Sequence, residues 1–262
     1  MSVETEEQRV KRRHQRTLFD GVAPLYDATR RGYPAEIVEF MASTAGVGRG
    51  SAVLEIGCGT GQLTERLAAY DVALTAIDIG PSMVAAAQLR LGKTTAVRVE
   101  VVAFEDFDAP PGSLDLIASA TAFHWIDPEV RFDKAHRLLR PDGWLALLST
   151  GEHYEDPFAA TLREMWIARS DDDGAWAWQR RVTDAEIIAE SGLFEAPIHR
   201  RHGERIVLPV ETVVGVENTR ATSLSWPEEV RRRFTEEIRE HLASQTEVSL
   251  TQETSLTMAR VA

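Results

Sequence analysis

The 262 residues are 44% hydrophobic, enough for a sizeable core, and 41 acidic against 29 basic residues leave a net charge of −12. Such a surface repels polyphosphate and argues against a nucleic-acid partner, and the two tight basic clusters, Arg12-Arg13 and Arg231-Arg232-Arg233, lie in Glu-containing helical stretches that read as solvated faces. The single cysteine, Cys58, forms no internal disulfide, the histidines are too scattered for a metal site, and neither a membrane-length apolar stretch nor a signal-peptide core is found, so a cytoplasmic protein with no metal and no membrane partner is expected.

In chain order, Ser2 to Thr17 is charged and helix-compatible, and Leu18-Phe19 opens a segment of ring and turn residues that runs through Tyr33-Pro34. Ile37, Val38, Phe40 and Met41 recur at helical spacing before Gly46, a helix stop. Strands are predicted near Ala52, then over Val72 to Asp78, Val97 to Val102, Leu114 to Ala120 and Trp144 to Ser149. Helices over Gln62 to Ala69, Pro81 to Leu91 and Pro128 to Leu139 alternate with them, the last ended by Pro141-Asp142-Gly143. This alternation implies a doubly wound, parallel α/β sheet with right-handed crossovers. After Ser149 the pattern turns helical, over Pro157 to Ala168, Thr183 to Ser191, Glu211 to Thr222 and Pro227 to Leu242. A strand-like stretch from Pro197 to Arg201 and a closing strand over Ser255 to Val261 interrupt and end it.

The segment Glu55-Ile56-Gly57-Cys58-Gly59-Thr60-Gly61 joins the first strand to a helix. Glycines there permit positive φ and let the backbone approach a ligand closely. Their spacing, G-x-G-x-G, differs from the G-x-G-x-x-G that cradles a dinucleotide pyrophosphate, so a ligand without phosphate is indicated. The second strand ends in Asp78, placed to accept hydrogen bonds from a ribose diol, and a nucleoside is implied.

These residues resemble the class I S-adenosylmethionine-dependent methyltransferases, with Val53 to Gly61 as their first motif and Asp78 as the acid on the ribose. Phe19, Ala23, Tyr26-Asp27, Arg30 and Tyr33-Pro34 look like the lead-in of the small-molecule group related to the trans-aconitate methyltransferases, and so do Ser119 to Trp125 and Leu138 to Gly143. Arg31 departs from that pattern, which has proline there. The resemblance implies a mostly parallel seven-stranded, Rossmann-like sheet with a helical cap, divided into N-terminal helices and a lid (1–50), a cofactor-binding core (51–150) and a cap with closing strands (151–262). It implies S-adenosylmethionine as cofactor, held by Tyr26, Arg30, Glu55, Gly57, Gly59, Gly61, Asp78, Ile79, Phe104, Glu105 and Ala120. Arg30 would pair with its carboxylate, since a guanidinium fork meets a carboxylate with two hydrogen bonds. Glu55 would lie near its ammonium, and Glu105 is either the adenine acceptor or a solvated loop acid.

His124 follows the fourth strand, where ligands sit in open α/β sheets. It either takes a proton from the acceptor or only orients it, since an in-line displacement gains much of its rate from alignment and needs no base in every case. Tyr33, Trp125, Trp176 and Trp178 are candidates for the acceptor side. In the segment Gly174 to Trp178 a helix is favoured, which lets at most one of the two indoles face the pocket. The fourth strand is not followed by an N/D-P-P-Y-like sequence, and no Asp/Asn group suits magnesium, which favours O- or C-methylation of a small apolar, aromatic or carboxylate-bearing molecule. An NAD-dependent dehydrogenase and a non-catalytic nucleoside-binding protein are the alternatives.

Overall fold

The computed structural model describes residues 5–92, 97–169 and 183–262. Seven strands form one sheet in the order β3-β2-β1-β4-β5-β7-β6: β1 (Ala52–Ile56), β2 (Ala73–Asp78), β3 (Val97–Val101), β4 (Leu114–Ala120), β5 (Leu139–Tyr154), β6 (Ile198–Pro209) and β7 (Glu247–Arg260). The first five pair in parallel, and β7 runs antiparallel to both β5 and β6. β1 and β4 are almost wholly buried, as expected of strands covered on both faces.

The helices are α1 (Glu6–Thr17), α2 (Ala23–Thr29), α3 (Ala35–Thr44), α4 (Gln62–Ala68), α5 (Pro81–Leu91), α6 (Arg131–Leu138), α7 (Phe158–Ile167), α8 (Asp184–Ser191), α9 (Val210–Asn218), α10 (Ala221–Leu224) and α11 (Glu228–His241). α3 and α4 pack on one sheet face through Ile37, Met41, Leu63 and Leu67, while α6 and α8 cover the other through Phe132, Leu138 and Ile188. A third core, built from α7, α9 and α11 on the outer halves of β6 and β7, forms the cap. Among the described residues no helix is long and apolar enough to cross a membrane.

Three expectations need correction. β5 runs to Tyr154 and β7 begins at Glu247, well beyond the short strands expected, because they pair without interruption from Trp144↔Arg260 to Tyr154↔Leu250. β6 continues to Pro209 rather than ending near Arg201. It is the outer strand, and its row of His, Arg and Glu hides the strand pattern while discouraging edge-to-edge association. Arg12 is not on a solvated face: it is 9% exposed, and its guanidinium donates to the Trp125 carbonyl at 2.8 Å and lies 3.8 Å from Asp127.

The N-terminal segment is tied across the top of the sheet. A capping box between Thr5 and Gln8 starts α1. Asp20 accepts from the Ser82 and Met83 amides and so caps α5 from outside, and Arg90 at the far end of α5 bonds Asp27 at 2.6 Å and the Thr60 carbonyl at 2.9 Å.

Candidate functional site

The C-terminal ends of β1, β2 and β4 open into a cleft of about 700 Å³. Gly57, Gly59 and Gly61 all take positive φ, at 70°, 55° and 91°. A Cβ on Gly57 would collide with that of Ala122, so only glycine lets the turn lie against the loop after β4. The amides of Gly57 and Cys58 donate to the Ile77 carbonyl, which anchors the turn on β2.

Asp78 joins the two turns. Its Oδ2 accepts from the Gly59 amide at 3.0 Å and its Oδ1 from the Gly80 amide at 2.8 Å, which uses two of about four acceptor positions and leaves the rest for a diol. Burial raises its pKa, the Gly80 and Gly59 amides oppose the rise, and the Asp20 charge adds to it. Glu55 lies buried on β1, behind the cleft wall, where desolvation pushes its carboxyl up to about 8, with Thr64 opposing and the Asp78 charge adding.

The outer wall is aromatic. Phe19 meets Tyr26 and Trp125 edge-on, with ring centroids 6.1 and 6.0 Å away, and all three line the cleft with Phe104 and Ile126. On the polar side, Arg16 holds Glu105 Oε1 at 2.7 Å, the Asp127 amide donates to the same oxygen at 3.2 Å, and Oε2 is buried without a partner. Burial works to raise the pKa of Glu105, but hydrogen bonds from its own backbone and from Arg16 outweigh it and hold the group below the ordinary carboxylate range.

Of the residues singled out from sequence, Tyr26, Gly57, Gly59, Asp78, Ile79, Phe104, Glu105, Ala120 and Trp125 line the cleft. Gly61 instead opens α4 and packs on Ala87. Arg30 is turned away: its guanidinium bonds Glu152 Oε1 at 3.4 Å, Thr219 Oγ1 at 3.1 Å and the carbonyls of Val216 and Thr219 at 3.2 Å. It ends α2 where that helix docks on α9, and the buried Glu152 carboxylate draws it there. His124 is exposed, its ring tilted 44° to that of Trp125 with centroids 4.6 Å apart, because the single 3₁₀ turn Phe123–Trp125 sends Phe123 into the core and its neighbour to solvent. Tyr33 is buried outside the cleft lining, and burial raises the pKa of its phenol. Trp176 and Trp178 lie outside the described residues.

Sequence reasoning did not find Arg16, Met83, Thr121 or Ala122 in the lining. Thr121 has φ 54°, a left-handed conformation that is costly for a β-branched residue and that clusters at functional sites; no residue pattern announces it.

A fitting ligand carries a diol for Asp78, a flat ring for the Phe104 wall and a polar end near the glycine turn. The last requirement has its own support. Thr60 Oγ1 and Gln62 Nε2, at the turn and the start of α4, are buried without hydrogen-bond partners. Among the described residues no group of three or more His, Cys, Asp and Glu side chains is arranged to hold a metal ion.

This sheet order, glycine turn and strand-end acid define a nucleoside-binding α/β fold of the methyltransferase type. Residues 54–147 match the family model described as a methyltransferase domain. A protein of Dictyostelium discoideum named as a methyltransferase is 30% identical over 68% of this chain and 66% of its own length. An uncharacterized methyltransferase of Mycobacterium bovis is 31% identical over 52% of this chain and 54% of its own. A solved structure from Anaeromyxobacter dehalogenans, named as a type II methyltransferase, superposes with a TM-score of 0.60 at 22% identity, covering 88% of this chain and 97% of that one. The chain belongs to the class I S-adenosylmethionine-dependent methyltransferases, whose cofactor is S-adenosylmethionine. It spans about half to two thirds of the length of these curated relatives.

Proposed function

We propose that the protein transfers a methyl group from S-adenosylmethionine to oxygen or carbon of a small-molecule acceptor. The observation that carries this reading is the cleft in which Asp78, fixed by the Gly59 and Gly80 amides, stands opposite an aromatic wall at the ends of β1, β2 and β4. S-adenosylmethionine, held in that cleft, would supply an electrophilic methyl group for in-line transfer to the acceptor's electron pair.

The chain's own part is binding, alignment and exclusion of water. Asp78 holds the diol, the Phe104 side of the cleft takes the ring, and Phe19, Tyr26 and Trp125 close the outer side. Ordering two reactants in a dry cleft is itself a large share of the rate in a displacement of this kind. The exposed position of His124 favours acceptors that arrive as anions or ionise readily, and a positioning role through Trp125 over general-base work.

Titration of the purified chain with S-adenosylmethionine, S-adenosylhomocysteine and NADH tests the cofactor, with binding of the first two and not the third expected. A metabolite panel read by mass gain of one methyl group tests the reaction. Tight S-adenosylhomocysteine binding with no turnover on a broad panel would favour a non-catalytic nucleoside-binding protein.

A further inference from the structure

Four charged side chains meet where α2 docks on β5 and α9, and none of them lines the cofactor cleft. Arg30 closes α2 and reaches Glu152 of β5 at 3.4 Å. Arg220, at the corner between α9 and α10, reaches Glu152 at 3.0 Å and Glu217 of α9 at 2.8 Å, with its Nε on the other Glu217 oxygen at 2.9 Å. Glu217 is fully buried and also accepts from the Tyr154 hydroxyl at 2.9 Å and the Trp166 indole at 3.2 Å. The contacts thus run without a break from the cap core, where Trp166 packs on Phe234, to the C-cap of the lead-in helix.

The charges balance, two guanidiniums against two carboxylates. Burial works to raise the pKa of Glu152, but the charges of Arg220 and Arg30 outweigh it and hold the group below its ordinary range. Desolvating four charges consumes most of what their attraction returns, so a buried network of this kind is a weak source of stability and its value lies in the geometry it fixes. That geometry is tight. A Cβ on Gly215 of α9 would come within 2.3 Å of the Thr29 side chain, so α2 rests on α9 with no room for a side chain between them. The Arg30 guanidinium is held there by Glu152, by Thr219 Oγ1 and by the carbonyls of Val216 and Thr219. One turn earlier on the same side of α2 stands Tyr26, and the guanidinium carbon of Arg30 lies 5.4 Å from the centre of its ring, within range for attraction between a cation and an aromatic face. Tyr26 does line the cleft, and its ring meets that of Phe19, the next ring of the same wall, edge-on.

We propose that Glu152, Arg220 and Thr219 are positioning residues for cofactor binding: they fix the Arg30 guanidinium, which in turn fixes the Tyr26 ring in the cleft wall. The inference rests on the methyltransferase reading above. It gives Arg30 a role different from the one its place in the lead-in implies, because a guanidinium already engaged by Glu152, Val216 and Thr219 acts on the cofactor through Tyr26 rather than by pairing with its carboxylate. It also makes the cap part of the cofactor site. A change at the α9–α10 corner alters the wall although no cap residue lines the cleft, and by linkage a bound cofactor steadies that corner in return.

The test is fluorine NMR and calorimetry on the full chain, its four tyrosines replaced biosynthetically by meta-fluorotyrosine for the NMR. The Tyr26 resonance, identified by its loss in Tyr26→Phe, is expected to move when S-adenosylhomocysteine is added. In Glu152→Gln and Arg220→Ala it is expected to shift or broaden before any ligand is present, while that of Tyr70, just beyond α4, stays in place. Each variant is expected to bind S-adenosylhomocysteine about fivefold more weakly, and the same change made on a Tyr26→Ala background to cost less than about twofold, because no ring is left to place. A general loosening of the fold would carry the whole loss into that background, so its persistence there overturns the proposal. Thr219→Val keeps every charge and takes one acceptor from Arg30; it is expected to move the Tyr26 resonance as well, and it decides the matter if the charge variants do not fold. An unmoved Tyr26 resonance in the folded variants overturns the proposal. So does tighter S-adenosylhomocysteine binding in Glu152→Gln, which would mark Arg30 as a direct ligand that Glu152 withholds. Failure of S-adenosylhomocysteine to bind wild type is a separate result: it removes the methyltransferase reading, whereas an unmoved Tyr26 resonance removes the positioning role alone.

Discussion

Asp78 builds the cleft by holding the Gly59 and Gly80 amides with its two oxygens, and it lines that cleft. Asp78→Ala is expected to weaken S-adenosylhomocysteine binding by about 1.5 to 3 kcal/mol, the range for a hydrogen bond to a charged group, with some loss of stability from the freed amides. Calorimetry at a temperature where circular dichroism shows the variant folded checks this, and unchanged affinity would remove the diol assignment. Glu55 gives a pH signature. Its folded-state pKa of about 8 lies above the ordinary 4.5, so the folded protein binds the extra proton between those values and stability falls as pH rises through that window. Glu55→Gln removes this linkage. Urea unfolding at pH 5 and pH 8 should show wild type losing more stability than the variant, and parallel losses would show that Glu55 ionises normally. His124, exposed against Trp125, should tolerate Ala with kcat within about threefold, whereas loss of a general base costs roughly 10² or more. Glycine turn and strand-end acid were legible because their chemistry is local. The committed state of Arg30 and the burial of Arg12 were not, because Glu152 and the Trp125 carbonyl that hold them are more than a hundred residues away in the chain.

Four contacts tie the N-terminal helices across the sheet as a strap. Arg12 on the Trp125 carbonyl, Arg16 on Glu105, Asp20 on the first turn of α5 and Arg30 on Glu152 pin the segment to four different elements. Removing one pin should loosen the strap without unfolding the sheet. Asp20→Ala is expected to cost about 1 kcal/mol, typical of a lost helix cap, and to speed amide exchange over both 19–34 and the first turn of α5. Adding S-adenosylhomocysteine should slow exchange over 19–34 in wild type, because Phe19 and Tyr26 line the cleft. Exchange that ignores both substitution and ligand would make the segment a fixed structural layer. The α/β alternation up to Ser149 was readable from period and turn residues, since each unit is short and closes on its neighbour. The long β5–β7–β6 ribbon was read only at its inner end. Its polar rows at Thr150, Glu152, Gln252 and Glu204 break the apolar alternation by which a strand is recognised.

β5 and β7 run unbroken from the sheet core to the cap core, so cleft, strap and cap are expected to unfold together. A ligand in the cleft touches the turns after β1 and β2, the loop after β4 and the strap, so it binds a surface that exists only when all of these are in place. Binding to the folded state alone stabilises by RT ln(1 + [L]/Kd), about 2.7 kcal/mol at a hundredfold excess over Kd. For a chain of this size each kcal/mol moves Tm by roughly 2 to 4 °C. S-adenosylhomocysteine at that concentration is therefore expected to raise Tm by about 5 to 10 °C in a single transition, NADH to leave it unchanged, and Asp78→Ala to lose most of the shift. Two transitions, with only one moved by ligand, would show that the cap unfolds independently of the sheet and that the shared strands β5 and β7 do not couple them.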